Sequence, residues 1–368
     1  MNNKASGLSD PEFLNRIWYS GFCNEKEIDR ILRPKTAWDY LLKRRADIIA
    51  DHPRFTRVFL NLSRTKDYTG LDSYFTDNHY KEYINFLSKR DQEKCKQVAY
   101  GDVFENDFNG YATFNNDIGI IIYLIESLRY FNNFINLAIL EHIEDVPENI
   151  RLNALRIAVR IALQNESMDF LLDPRGIVPQ TIFQRIKDTT NKELLYVTGH
   201  EFAHFLCGHL DNNNLENRLL FSLDSQKYYD RVYNVSQQQE FEADLFSIKN
   251  AKYNKYDLQY MLRAALIWFS ALELVEYVQD IISPSISWTN SSHPKAKERY
   301  NNILNSFKIS KAIKAELSII RKRIDFYKKF LQEDISVNYD SYEIYGSAYL
   351  DEPNTEWRGR ELIDRVDY

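Results

Sequence analysis

The residues best placed to do chemistry are His200, Glu201 and His204, which stand in the order His-Glu-Phe-Ala-His. On a helix successive residues turn by about 100°, so two histidines four apart sit roughly 40° from one another, one turn along the same face. Both imidazoles can then reach one tetrahedral zinc ion, and the carboxylate of Glu201 projects beside them, where it can take a proton from an attacking water. These residue types at this spacing point to metal-assisted hydrolysis. A catalytic zinc holds three protein ligands and keeps one position open, so a third ligand has to come from another part of the chain.

Downstream, the run Glu240-Phe241-Glu242-Ala243-Asp244 offers three carboxylates. On a helix Glu240 and Asp244 share a face while Glu242 points about 200° away, which favours Glu240 over Glu242 as the third ligand and places Asp244 to accept a hydrogen bond from one of the histidines. The separation of 36 residues between His204 and Glu240 accommodates a loop and a returning helix, the arrangement of gluzincin metalloproteases. His209 lies nine residues after His200, near 180° around a continuous helix, and is expected to face away from the metal in a structural or orienting role. The metzincin pattern requires Gly at 207 and His at 210, where this chain has Cys207 and Leu210. Cys207 stands in an apolar stretch and reads as packing. In Ser292-His293-Pro294-Lys295-Ala296-Lys297-Glu298-Arg299 the proline suits the first turn of a helix. His293 is then either an incidental neighbour of a helix start or, beside a zinc site, a donor to the oxyanion that develops when water attacks a peptide carbonyl.

The elements that must position these groups can be read from capping and periodicity. Thr190 and Glu193 have the spacing of a capping box ahead of the apolar run Leu194 to Val197, so the helix carrying the histidines is expected to begin near Thr190 and to run through His204 towards Leu210. Before it, Gly110 to Phe114, the turn cluster Asn115-Asn116-Asp117 and the run Ile118 to Ile125 predict a hairpin. Apolar residues at three- and four-residue intervals predict helices over 126–142, 150–164 and 181–187, and further helices over 238–249, 257–282, 294–307 and 311–331. The fold class expected is α+β: a mainly helical, zincin-like metallopeptidase with a small β-hairpin or sheet ahead of the active-site helix. Residues 1–100 form a helical N-terminal region, 101–310 the metallopeptidase domain, and 311–368 a C-terminal helix with an acidic, Tyr-rich tail.

Composition narrows the setting. A formal charge of −6 and a pI near 5.8 give no broad positive field for phosphates, so no nucleic-acid partner is expected. The basic clusters Lys43-Arg44-Arg45 and Arg321-Lys322-Arg323 read as solvated helix faces. Three widely spaced cysteines, Cys23, Cys95 and Cys207, suit a reducing compartment, and the opening residues have no apolar core of the signal-peptide kind, so a cytoplasmic location is expected. The longest apolar run, Ile118 to Ile125, falls far short of the roughly 20 residues needed to cross a bilayer, so no membrane partner is expected.

Taken in order, HEFAHFLCGH, EFEAD and SHPKAKER resemble the gluzincin peptidases grouped with the heat-shock protease HtpX and the CAAX prenyl proteases, which carry HExxH, ExxAD and HPxxxxR. The chain is also similar to the soluble phage-exclusion proteases of the Lit type, which have a strand-turn-strand and a helix before HExxH and a long apolar helix before the HP motif. The resemblance covers roughly residues 105 to 310. It implies His200, His204 and Glu240 as ligands of one Zn²⁺ per chain, Glu201 as general base, Asp244 as the acceptor behind a ligand, His293 as the transition-state donor, and Arg299 near the site. The reaction implied is hydrolysis of peptide bonds in an intracellular protein, in phage exclusion or a stress response, with a regulatory partner at the N-terminal region. The alternative is a non-catalytic, zinc-stabilised interaction module.

Overall fold

The computed structural model describes residues 11–105, 107–115, 117–140, 146–166, 180–210, 215–220, 228–233, 237–283 and 294–348. The N-terminal part is helical: α1 (Pro11–Tyr19), α2 (Glu25–Leu32), α3 (Ala37–Asp51), α4 (Pro53–Leu62), α5 (Asn78–Phe86) and α6 (Lys89–Cys95). Capping boxes start α2 and α3: the side chains of Asn24 and Thr36 accept from the amides of Glu27 and Asp39, whose carboxylates accept from the amides of the caps. The apolar faces of α1 to α4 close on one another through Tyr19, Phe22, Ile31, Leu42 and Phe59, a core separate from the larger one beneath the metal centre.

Between that small core and the sheet lies α3, and this placement overturns the expectation that Lys43-Arg44-Arg45 is solvated. All three are buried. Lys43 pairs with Asp47 at 3.4 Å, Arg44 with Glu105 at 2.7 Å, and Arg45 donates to the carbonyl of Asp102 at 2.8 Å. A helix covered on both sides has no face left for water, so each cation has to find an acceptor inside.

The sheet comprises β1 (Val98–Tyr100), β2 (Gly110–Asn115), β3 (Gly119–Leu124), β4 (Leu215–Leu220) and β5 (Tyr228–Tyr233), in the order β1-β3-β2-β5-β4. The expected hairpin is β2 and β3, antiparallel with Asn115 opposite Gly119, and β1 runs parallel to β3. The remaining elements are helices: α7 (Ser127–Ile139), α8 (Glu148–Ala162), α9 (Gln180–Leu206), α10 (Gln237–Lys249), α11 (Lys255–Ile282), α12 (Ala296–Ser306), α13 (Lys311–Val337) and the short α14 (Asp340–Glu343). Together they make a zincin-like α+β architecture; β1, β2 and β3 precede the helix that bears the histidines, as expected, while β4 and β5 follow it and extend the mixed sheet. Among the described residues no helix is long and apolar enough to cross a membrane.

The histidine-bearing helix differs from expectation at both ends. It begins at Gln180, absorbing the separate helix expected over 181–187, so Thr190 and Glu193 lie inside it rather than at its cap. Both are buried, and Asn136 of α7 donates to the Glu193 carboxyl at 2.7 Å and lies 3.2 Å from the Thr190 hydroxyl. At the other end α9 stops at Leu206, and Gly208 adopts a φ of 77°. That left-handed conformation suits glycine and turns the chain back on itself, with the amide of His209 bonded to the carbonyl of His204 at 2.9 Å.

Burial pushes the Glu193 carboxyl up to about 8, with the Asn136 hydrogen bond and the Arg263 charge opposing in part. A carboxyl whose folded value exceeds its unfolded one contributes stability that is fully present below about pH 4 and lost as pH rises through 8. Glu193→Gln keeps an acceptor for Asn136 and cannot ionise. It is expected to stabilise the protein by a few kcal/mol at pH 8 and by nothing at pH 4, as read from urea unfolding at the two pH values. An equal change at both would contradict this account of Glu193.

Candidate metal centre

Three helices and one strand meet at the centre. α9 presents His200 and His204 from adjacent turns, α10 presents Glu240 and Asp244 from one face, α12 contributes Arg299, and β2 crosses above Glu201. The strand can come this close because residue 110 is glycine: a Cβ there would stand 2.7 Å from Leu124 and 3.0 Å from the Glu201 carboxylate.

The two histidine Nε2 atoms lie 3.0 Å apart, and the Glu240 carboxylate oxygens lie 3.4 Å from His200 Nε2 and 3.5 Å from His204 Nε2. Zinc bonds of about 2.0–2.1 Å at tetrahedral angles would hold neighbouring nitrogen and oxygen donors about 3.3 Å apart. The observed spacings fit that requirement, and the donor set of two imidazoles and one carboxylate suits zinc. Among the described residues the cluster reproduces the HExxH gluzincin zinc-binding geometry for one mononuclear zinc ion.

Behind the ligands sits a buried ionic lattice. Asp244 Oδ1 is 3.0 Å from His200 Nδ1, and the Asp244 carboxylate accepts two bonds from the Arg299 guanidinium, at 2.6 and 2.8 Å, and one from the Tyr196 hydroxyl at 2.8 Å. Arg299 Nη1 also lies 3.2 Å from Glu240, and its guanidinium rests 4.8 Å over the ring of Phe269. This arrangement holds His200 with Nε2 turned to the ligand cluster, because Nδ1 faces a fixed carboxylate. Burial alone would raise the Asp244 carboxyl, but the Arg299 charge and hydrogen bonds hold it down at about 2. Arg299 is raised further above its ordinary value, since Asp244 and Glu240 outweigh its desolvation.

The two histidines are driven apart. Burial lowers His200, yet the charge of Glu240 and the bonds to Asp244 and Glu240 raise it to about 10. His204 is pushed well below its usual range by burial and by the neighbouring His200 charge. Without metal, one proton on His200 therefore stands where a cation is wanted. Zinc needs both rings neutral, so its binding near pH 7 is expected to release about one proton. Affinity should rise about tenfold per pH unit towards pH 10. Titration calorimetry in buffers of different ionisation heat measures the release directly; heats independent of buffer would contradict it.

Beside the cluster is a cavity of about 270 Å³. Glu201 lines it together with the three ligands and Arg299, and a stripe on α11, Trp268, Leu272, Val275 and Gln279, forms an apolar wall with a polar end. Of the residues singled out from sequence, His200, Glu201, His204, Glu240, Asp244 and Arg299 are brought together here. His293 lies outside the described residues, although Pro294 lines the cavity. Glu242 is exposed and pairs instead with His209 at 3.3 Å. Tyr196 and Phe269 were not anticipated; Tyr196 stands four residues before His200 on the same face, a spacing that could have drawn attention to it.

No protein-family model, curated protein or solved structure matches this chain. The assignment as an HExxH zinc metallopeptidase rests on the geometry of its own site.

Proposed function

We propose that the chain is an endopeptidase that hydrolyses peptide bonds of an intracellular protein, with Glu201 as general base. The observation that carries this reading is the place of Glu201: its carboxylate lines the same cavity as the three ligands without belonging to their set. A zinc ion held by His200, His204 and Glu240 supplies a Lewis acid that acidifies water and polarises a carbonyl. Glu201 takes the proton of the attacking water and returns it to the leaving amine. Asp244 and Arg299 keep His200 and Glu240 in place, and His293, which precedes the cavity residue Pro294 in sequence, donates to the developing oxyanion. The α11 stripe takes a substrate side chain with apolar bulk.

The order HExxH, ExxAD, HPxxxxR supports placing the chain beside the HtpX and CAAX prenyl proteases and, for want of a membrane-crossing helix among the described residues, nearest the Lit type. The biological setting proposed on that basis is phage exclusion or a stress response in the cytoplasm. Residues 1–100 are proposed as a helical region that binds a regulatory partner, 101–310 as the peptidase domain and 311–368 as a C-terminal extension.

Zinc-loaded protein incubated with an unfolded cell proteome is expected to generate new peptide N-termini that are absent when zinc is removed by a chelator. Identical N-termini with and without metal would sink the peptidase reading.

A further inference from the structure

The turn that ends α9 brings a second set of metal-ligating groups together, outside the catalytic cluster. Cys207 and His209 flank Gly208, and Glu242 reaches them from α10; Cys207 Sγ, a His209 nitrogen and a Glu242 oxygen all lie within 4.8 Å of one another. His209 Nε2 is already 3.3 Å from Glu242. Cys207 is half-buried and makes no disulfide, His209 is buried, and Glu242 is exposed, so the group has one open side towards solvent. A thiol and an imidazole on the turn after α9 and a carboxylate in the second turn of α10 are three different donors converging on one point. Surface salt bridging needs no cysteine, and core packing needs neither a buried imidazole nor an acid.

We infer that Cys207, His209 and Glu242 form a second, peripheral site for a thiophilic divalent cation of the zinc class, completed by solvent. In the absence of metal, burial and the nearby Glu242 push the Cys207 thiol up to about 12, so it is neutral. A coordinating cation displaces the thiol proton to solvent, and the sulfur lone pair, the His209 Nε2 lone pair and the Glu242 carboxylate form the new bonds.

The side chains of the two sites also touch: His204 Nδ1 and His209 Nδ1 are 2.9 Å apart. On the proposed reading, in which His204 binds zinc through Nε2, its Nδ1–H donates to His209 Nδ1, which leaves the His209 hydrogen on Nε2, facing Glu242. A cation on His209 Nε2 moves that hydrogen to Nδ1, so two N–H groups then face each other and the contact breaks. Each metal therefore weakens the other, within the roughly 5- to 150-fold range common for coupled sites. This coupling rests on the zinc-hydrolase reading; the existence of the peripheral site does not.

Cobalt distinguishes the two sites, because only a thiolate ligand gives a sulfur-to-cobalt charge-transfer band in the near ultraviolet. Titrating the metal-free full-length chain with Co²⁺ is expected to give first visible ligand-field bands without sulfur, from the two histidines and Glu240, and then, at higher Co²⁺, the thiolate band. Cys207→Ser should abolish the second signal and keep the first. Glu242→Gln, at an exposed position that does not threaten folding, should shift the thiolate band to higher Co²⁺. Glu240→Ala should weaken the first signal and let the thiolate band appear at lower Co²⁺. No thiolate band at saturating Co²⁺, or a band unchanged in both Cys207→Ser and Glu242→Gln, would overturn the inference. A thiolate band without the first set of ligand-field bands would instead count against the catalytic site and leave the peripheral one standing.

Discussion

Replacing Glu201 by Gln is expected to leave zinc content and unfolding midpoint close to those of the parent and to lower turnover by about 10³-fold or more. General acid–base assistance contributes roughly 10²–10⁴-fold, and here one carboxylate serves both the attack of water and the departure of the amine. Gln has the size and hydrogen-bonding reach of Glu but no basic carboxylate. Glu201 is not among the three clustered ligands, so the metal has no reason to leave with the charge. Gly110 already fixes how close β2 comes to this side chain, and an isosteric replacement preserves that contact. Steady-state rates on any substrate cleaved by the parent, with metal analysis of the same samples, decide the matter. Undiminished turnover would remove Glu201 from the chemistry. Loss of zinc would move it into the ligand set.

The second large effect is expected at Arg299. Its guanidinium is buried, forks onto Asp244 and reaches Glu240. Removing one partner of a buried ion pair costs about 3–5 kcal/mol, since the two carboxylates left behind cannot reach water and have only the His200 proton between them. Arg299→Met keeps most of the apolar stem beside Phe269 and deletes only the charge and its donors. The metal-free variant is expected to lose stability by about that amount in urea. The zinc-loaded variant should lose less, because the ion itself compensates Glu240. A loss below about 1 kcal/mol in the metal-free protein would place Arg299 among the weak surface-type pairs.

What could be read from sequence was what depends on neighbours along one helix. The spacing of His200 and His204, and the shared face of Glu240 and Asp244, are properties of a single α-helical turn, and the structure places all four on one centre. The hairpin followed from β-branched runs around a polar turn in the same way. Contacts between distant elements were not legible: nothing local to Arg299 says that it will meet α10, and nothing local to Phe269 says that a guanidinium will rest on it.

The structure departs from expectation at two polar stretches for a common reason. Thr190 and Glu193 have the pattern of a cap, and Lys43 to Arg45 the pattern of a wet helix face, yet tertiary packing buries both. Local polarity signals an exposed end or face only when no other element covers it, and α7 covers the first while α3 is enclosed between two layers. The case of His209 differs, because its signal was present. A glycine directly after the apolar end of a helix is the common left-handed stop. Taken at face value, Gly208 forbids the continuous helix that would have turned His209 away.

One zinc ion is expected between His200, His204 and Glu240. Anomalous diffraction at the zinc edge, from crystals of the full chain grown with one equivalent of the metal, reads both its position and its ligands. The expected result is a single strong peak with two imidazole nitrogens and a carboxylate oxygen of Glu240 at about 2.0–2.2 Å and no sulfur ligand. A peak at Cys207 instead, or none near His200 and His204, would contradict the account.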